Sequence, residues 1–192
     1  GILADFHFAP TQTNKDNLLK EGYPEEKIFI TGNTVIDALK YAVKEDFIFN
    51  DPLLDSIDYG RERVILLTSH RRENIGRPME NIFAAVGDIA KKYDNVSVVF
   101  PIHLNPKVRE IARQVFENNR KVHLIEPLDY EPFTNLMAKC HLVVTDSGGL
   151  QEEAPSLGKP VLVVREETER PEGIEAGTAR LVGTRYEDIY SS

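Results

Sequence analysis

Short β-branched runs alternate with amphipathic stretches along most of this chain, and that alternation constrains its fold more than any other feature. Val64-Ile65-Leu66-Leu67-Thr68, Val96-Ser97-Val98-Val99-Phe100, Val122-His123-Leu124-Ile125, Leu142-Val143-Val144-Thr145 and Val161-Leu162-Val163-Val164 read as strands covered on both faces. Between them apolar residues recur at helical spacing. Ile82, Val86, Ile89 and Tyr93 form one stripe, Val108, Ile111, Ala112, Val115 and Phe116 a second, and Phe133, Leu136, Met137 and Cys140 a third. A shorter helix, roughly Leu150 to Leu157, is stopped by Gly158 and Pro160. Leu181-Val182 reads as a last edge strand. Upstream, Thr13 or Asn14 is placed to cap a helix through Leu18 and Leu19 that ends before Gly22. Ile28-Phe29-Ile30 reads as a strand, and Val35, Ala38, Leu39, Ala42 and Val43 as a further helical stripe. Glu45 to Arg63 is polar, lacks a period and reads as a connection. Strands alternating with helices predict βαβ units, hence a doubly wound, mainly parallel α/β sheet with helices on both faces. Residues 1–192 are taken as one domain, with leading elements and a connection over 1–62 and the core series over 63–184.

Charge narrows the partners. With 31 acidic against 23 Lys and Arg residues the net charge is −8, which disfavours nucleic acid, because phosphate neutralisation needs a basic face. A small anionic ligand answers to local charge and stays open. The lone Cys140 excludes an internal disulfide and a Cys-rich zinc site, and fits a reducing compartment such as the cytoplasm. No apolar run approaches the roughly 18 residues of a membrane helix, and the start lacks a signal-peptide pattern. Strand-like Asp5-Phe6-His7-Phe8 at one end and helix-opening Arg185 to Tyr190 at the other read as cuts through a longer protein.

In doubly wound sheets ligands bind beyond the carboxyl ends of the strands, at the point where strand order reverses. Asp146-Ser147-Gly148-Gly149 follows one strand and opens a helix. Its glycines, free N–H groups and Ser147 hydroxyl suit a phosphate or diphosphate, and equally a tight turn in which Ser147 or Asp146 caps the helix. Glu152 and Glu153 complement the helix dipole or accept hydrogen bonds from ribose hydroxyls. Ser69-His70-Arg71-Arg72-Glu73-Asn74 follows another strand; its cations make an anion clamp, unless one of them holds Glu73. Of these, His70 is favoured for a ligand role and is also suited to proton transfer. After a third strand, Asn105 as a helix cap with an incidental His103 competes with a ligand role for His103. Arg165 and Arg170 lie among four glutamates, so surface ion pairs account for much of that loop. The chain has no G-x-G-x-x-G after a strand, no Walker A loop and no G-x-S-x-G elbow. Cys140 and His141 are neighbours at a strand start, point to opposite faces and make no nucleophile–base pair. No spacing of His, Asp or Glu indicates a metal site.

Thr68-Ser69-His70-Arg71-Arg72-Glu73-Asn74, Pro101-Ile102-His103-Leu104-Asn105-Pro106, Thr145-Asp146-Ser147-Gly148-Gly149-Leu150-Gln151-Glu152-Glu153-Ala154-Pro155 and Thr168-Glu169-Arg170-Pro171-Glu172 resemble the non-hydrolysing UDP-N-acetylglucosamine 2-epimerases. Phe8-Ala9-Pro10-Thr11 and Ile30-Thr31-Gly32-Asn33-Thr34-Val35-Ile36-Asp37 extend the resemblance. It covers the carboxyl-terminal Rossmann-like domain of a family built in the two-domain glycosyltransferase-B arrangement. It implies that Ser147, Gly148 and Gly149 hold the diphosphate of UDP and Glu153 the ribose. Arg170 and His70 would sit near the diphosphate and sugar, with His70 catalytic. Phe133 and the backbone at Leu128 would cradle the uracil; some relatives carry Gln where this chain has Leu128. Arg71 and His103 would touch a regulatory UDP-sugar. The resemblance further implies elimination and re-addition of UDP without cofactor or metal, acid/base carboxylates in the other domain, and a homodimeric full-length protein. Two rivals share the architecture. A glycosyltransferase donor domain carries an E-x7-E run, which Val161 breaks eight residues after Glu153. A hydrolysing epimerase would release free N-acetylmannosamine.

Overall fold

The computed structural model describes residues 3–192. The chain divides into two compact units, Gly1–Tyr41 and Ala42–Ser192. The sequence-based boundary near residue 62 therefore lies inside the second unit.

In the first unit two strands, β1 (His7–Ala9) and β2 (Ile28–Ile30), pair in parallel around a helix, α1 (Gln12–Lys20). Thr11 is the N-cap of α1, rather than Thr13 or Asn14: its backbone is extended and its hydroxyl accepts from the Asn14 amide. Phe8 and Phe29 are exposed, with ring centroids 6.0 Å apart. Helix α2 (Thr34–Ala42) runs to the unit boundary.

The second unit carries the alternation seen in sequence. After a one-turn helix, α3 (Pro52–Ser56), come β3 (Arg63–Thr68), α4 (Arg77–Lys92), β4 (Val96–Pro101), α5 (Pro106–Phe116) and β5 (Val122–Ile125). There follow α6 (Tyr130–Lys139), β6 (Leu142–Thr145), α7 (Leu150–Ser156), β7 (Val161–Val163), α8 (Pro171–Glu175), β8 (Ala179–Leu181) and α9 (Tyr186–Ser191). The six strands from β3 onward form one sheet of order β5-β4-β3-β6-β7-β8, and every neighbouring pair is parallel. This is the doubly wound α/β arrangement that the alternation predicts.

Helix α4 carries much of the core. Met79, Ile82, Phe83, Ala85, Val86 and Ala90 are buried, and the Phe83 ring lies 5.2 Å from Phe100 of β4 and 5.3 Å from Phe116 of α5. Burial of such side chains contributes about 1.5–3 kcal/mol each. Gly76 starts this helix at φ +102°, a backbone that a side chain would strain. The strand order reverses between β3 and β6, so their carboxyl ends, Thr68 and Thr145, sit side by side in register.

Candidate functional site

Thr68 and Thr145 are bridged through their hydroxyls at 2.6 Å, and the Thr145 hydroxyl also accepts from the Ser147 amide at 2.9 Å. The two strand-end loops are thus joined at their first residues. Asp146 joins them further. Its carboxylate is 0% exposed and turns toward the loop after β3 instead of the helix after β6. It accepts from the Ser69 hydroxyl (3.0 Å), the His70 and Arg71 amides (2.9 Å each) and the Asn74 side-chain amide (3.1 Å). His70 Nδ1 lies 3.1 Å from its other oxygen. Burial alone would raise this carboxyl, but the hydrogen bonds from His70 and Arg71 hold it below its ordinary value. Asp146 therefore does not cap α7. Gly149 stands at that N-cap, and no side chain bonds there.

His70 keeps a side-chain exposure of 42% and lines a cleft of about 410 Å³ at the carboxyl end of the sheet. Ser147, Leu128, Phe133 and His103 line the same cleft, so five of the sequence-selected residues share one cavity. The His70 and His103 rings stack, with centroids 5.5 Å apart and planes 21° from parallel. At the third strand end the Asn105 side chain caps α5, as read from the sequence, by accepting from the Lys107 amide, while its own amide donates to His103 Nδ1. The hydrogen bond to Asp146 raises the His70 imidazole above its ordinary value, against burial and the Arg71 charge.

Gly148 and Gly149 do not need left-handed backbone, and of the two only Gly149 sits where an added Cβ would be crowded. A Cβ at Gly149 would come within 3.1 Å of Glu153 Oε1, and one at Gly148 would meet the Arg71 guanidinium at 3.8 Å. Arg71 thus lies over the glycine loop, where its Nε donates to the Asp146 carbonyl at 3.3 Å. Glu153 is half-buried; burial, with Glu152 beside it, lifts its carboxyl above the ordinary value. Arg170 does not line the cleft. It is ion-paired with Glu152.

Arg165, expected in surface pairs, is only 7% exposed. It donates to Glu73 at 3.1 Å and, through two nitrogens, to Glu169 at 2.6 and 3.0 Å. Glu169 lies 3.8 Å from Arg71 as well, and its carboxyl is held at about 2, chiefly by the Arg165 hydrogen bonds. Asn74 also donates to the Val164 carbonyl, so the loops after β3, β6 and β7 form one hydrogen-bonded unit. Sequence reasoning missed Asp146, Asn74 and Arg165 as its organisers. The available signal was a charged residue directly after two buried apolar runs, Asp146 after Thr145 and Arg165 after Val164; Asn74, six residues past Thr68, carried none.

An all-parallel sheet whose strand order reverses beside a mixed apolar and polar cleft defines a doubly wound ligand-binding domain of the nucleotide-binding type. The chain belongs to the UDP-N-acetylglucosamine 2-epimerase family, whose model matches residues 1–192. It is 56% identical over 190 residues to a UDP-N-acetylglucosamine 2-epimerase of Bacillus subtilis, covering 99% of this chain and 49% of that protein. Among solved structures, S. aureus MnaA with UDP matches at TM-score 0.91 and 49% identity, covering 99% of this chain and 51% of that one. The UDP-GlcNAc 2-epimerase of Neisseria meningitidis bound to UDP-GlcNAc matches at TM-score 0.91 and 47% identity, covering 99% and 52%. The chain spans about half the length of these relatives.

Proposed function

We propose that this chain supplies the UDP-binding half of a UDP-N-acetylglucosamine 2-epimerase. The whole protein would interconvert UDP-N-acetylglucosamine and UDP-N-acetylmannosamine by elimination and re-addition of UDP. The observation that carries this reading is the meeting of Ser147, His70, Leu128 and Phe133 in one cleft at the sheet's switch point. Phe133 and the Leu128 backbone would hold the uracil, Glu153 the ribose, and Ser147, Gly148 and Gly149 the diphosphate. His70 would lie between the diphosphate and the sugar. Arg170 joins the ligand if it exchanges Glu152 for phosphate; Arg71, beside Gly148, would reach either the diphosphate or, with His103, a regulatory UDP-sugar.

In elimination the C2 proton leaves to a base, the C1–O bond breaks with its electron pair, and UDP departs from a glycal. Re-addition returns UDP to C1 and a proton to the other face of C2. The reaction is redox-neutral. Charge grows on the departing diphosphate, where fixed N–H donors and a cationic imidazole act most strongly. The carboxylates that exchange the C2 proton are assigned to the other half, so the 192-residue chain binds UDP without turnover. The same reading takes a UDP-sugar as partner, a homodimer for the longer protein and the cytoplasm as its place.

Titration of the chain with UDP, followed by amide NMR, tests this. Ser147 to Gly149 should move first, and shifts confined elsewhere would refute the phosphate-loop assignment. Epimerase activity from the 192-residue chain alone would refute the division of labour.

A further inference from the structure

We propose that Asp146 is a positioning residue for His70: its buried carboxylate grips the imidazole at Nδ1 and leaves Nε2 for an anionic ligand in the cleft. The inference rests on the UDP-binding reading above and goes beyond it in naming what sets the state of the ring.

The carboxylate cannot follow the imidazole. One oxygen is held by the Ser69 hydroxyl, the His70 and Arg71 amides and the Asn74 side chain, all within 3.1 Å. The other accepts from the His70 amide at 3.1 Å and faces His70 Nδ1 at the same distance. With its donors drawn from four residues of one loop, the carboxylate is a fixed point and the ring must come to it. His103 supplies a second constraint by stacking on the ring face. Its own Nδ1 is committed to the Asn105 amide, so it packs against His70 without competing for Asp146. Contact at one edge and on one face fixes both side-chain torsions of His70.

The bond also determines which nitrogen titrates. An ionised Asp146 only accepts, so neutral His70 must keep its proton on Nδ1 and gain or lose the other at Nε2. The charged or titratable groups facing the ring are Asp146 from the loop after β6, Arg71 beside it and His103 from the loop after β4. Asp146 favours the cation and Arg71 opposes it, with the balance toward the cation. A cationic His70 donates from Nε2 and attracts a diphosphate; a neutral one does neither. Affinity for UDP should therefore follow His70 protonation, with Asp146 setting the pH at which it changes.

A purely structural Asp146 would tie the loops together and leave His70 titration alone. Long-range 1H–15N NMR of the histidine-labelled chain across pH separates the two roles. In the wild type, neutral His70 should carry its proton on Nδ1, and Asp146→Asn should lower its titration midpoint. Ser69→Ala, which removes a donor to Asp146 but no charge, should leave the midpoint in place even if it lowers stability. An Nε2–H tautomer in the wild type, or an unmoved midpoint in Asp146→Asn, would overturn the proposal. Should Asp146→Asn fail to fold, the wild-type tautomer decides alone. With UDP added, Asp146→Asn should bind about fivefold more weakly between the two midpoints and converge with the wild type outside them. Coincident affinity profiles would count against the proposal. Failure of UDP to bind the wild type at any pH would instead strike the functional reading, while the ligand-free titration would still judge Asp146.

Discussion

The hydroxyl pair at the strand ends gives a sharp test, because its two members are not equivalent. Thr68 Oγ1 meets Thr145 Oγ1, whereas Thr145 Oγ1 also takes the hydrogen bond of the Ser147 amide. Substituting Val preserves shape and removes the oxygen. Thr68→Val deletes one side-chain hydrogen bond of ordinary net worth, about 0.5–1.5 kcal/mol. Thr145→Val deletes that bond and strands the Ser147 amide beside a fully buried residue, adding about 1–3 kcal/mol of desolvation. At about 2–4 °C per kcal/mol for a chain of this size, Thr145→Val should lower the thermal midpoint by roughly 3–18 °C, and Thr68→Val by roughly 1–6 °C. Because the stranded amide belongs to the loop assigned to the diphosphate, Thr145→Val should also weaken UDP binding by about fivefold or more, with Thr68→Val near wild type. Calorimetric melting and UDP titration of both variants and the double mutant measure this, and the double mutant should fall short of additivity. Equal losses in the two single variants, or wild-type UDP affinity in a folded Thr145→Val, would refute the reasoning.

Further expectations follow from groups outside the cleft. Ser97 Oγ is buried in β4 with no hydrogen-bond partner among the described residues, so Ser97→Ala should be neutral or stabilising by up to about 1 kcal/mol; a loss of that size in the urea midpoint would contradict it. Burial holds His123 below its ordinary value of 6.5, so its contribution is present above that pH and is lost as pH falls toward the folded value. His123→Gln should flatten the acid side of a stability profile, and an unchanged slope below pH 6.5 would show that the residue plays no part. His70, raised, acts in the opposite sense: its contribution is complete below 6.5 and fades as pH rises through its folded value. Burial pushes the Cys140 thiol up to about 12, so alkylation of the native chain at pH 8 should be slow and rise with denaturant; labelling at the rate of a free thiol would contradict the burial.

The central strands were legible because a parallel sheet covered on both faces requires unbroken apolar runs, as at Val64 to Leu67 and Val96 to Phe100. Helices α4, α5 and α6 were legible from their periodic stripes, whereas α3 and α8, five residues each, are too short to display a period. His70 and Ser147 could be singled out by position, since each follows a strand. The role of Asp146 could not, because its partners from Ser69 to Asn74 lie 72 to 77 residues away in sequence. Arg165 looked like one more member of a charged loop, and only the meeting of three loops makes it a buried cation. The capping position of Thr11 was missed by two residues, since Thr13 and Asn14 offer the same side-chain chemistry.

The register that places Thr68 beside Thr145 brings together residues 77 positions apart, with two strands and three helices in between. Neither half of the cleft can be assembled locally: the loop carrying His70 acquires its carboxylate only after the chain has wound out to β5 and returned to the other side of β3. Closing so large a loop is a slow step in folding. The cleft is consequently among the last features to become native, and a ligand that spans both loops would act as a staple across the sheet's central seam. Its binding energy would add to the cooperativity of the whole unit, so the amides of β3 and β6, remote from any ligand atom, should exchange with solvent more slowly once the cleft is filled.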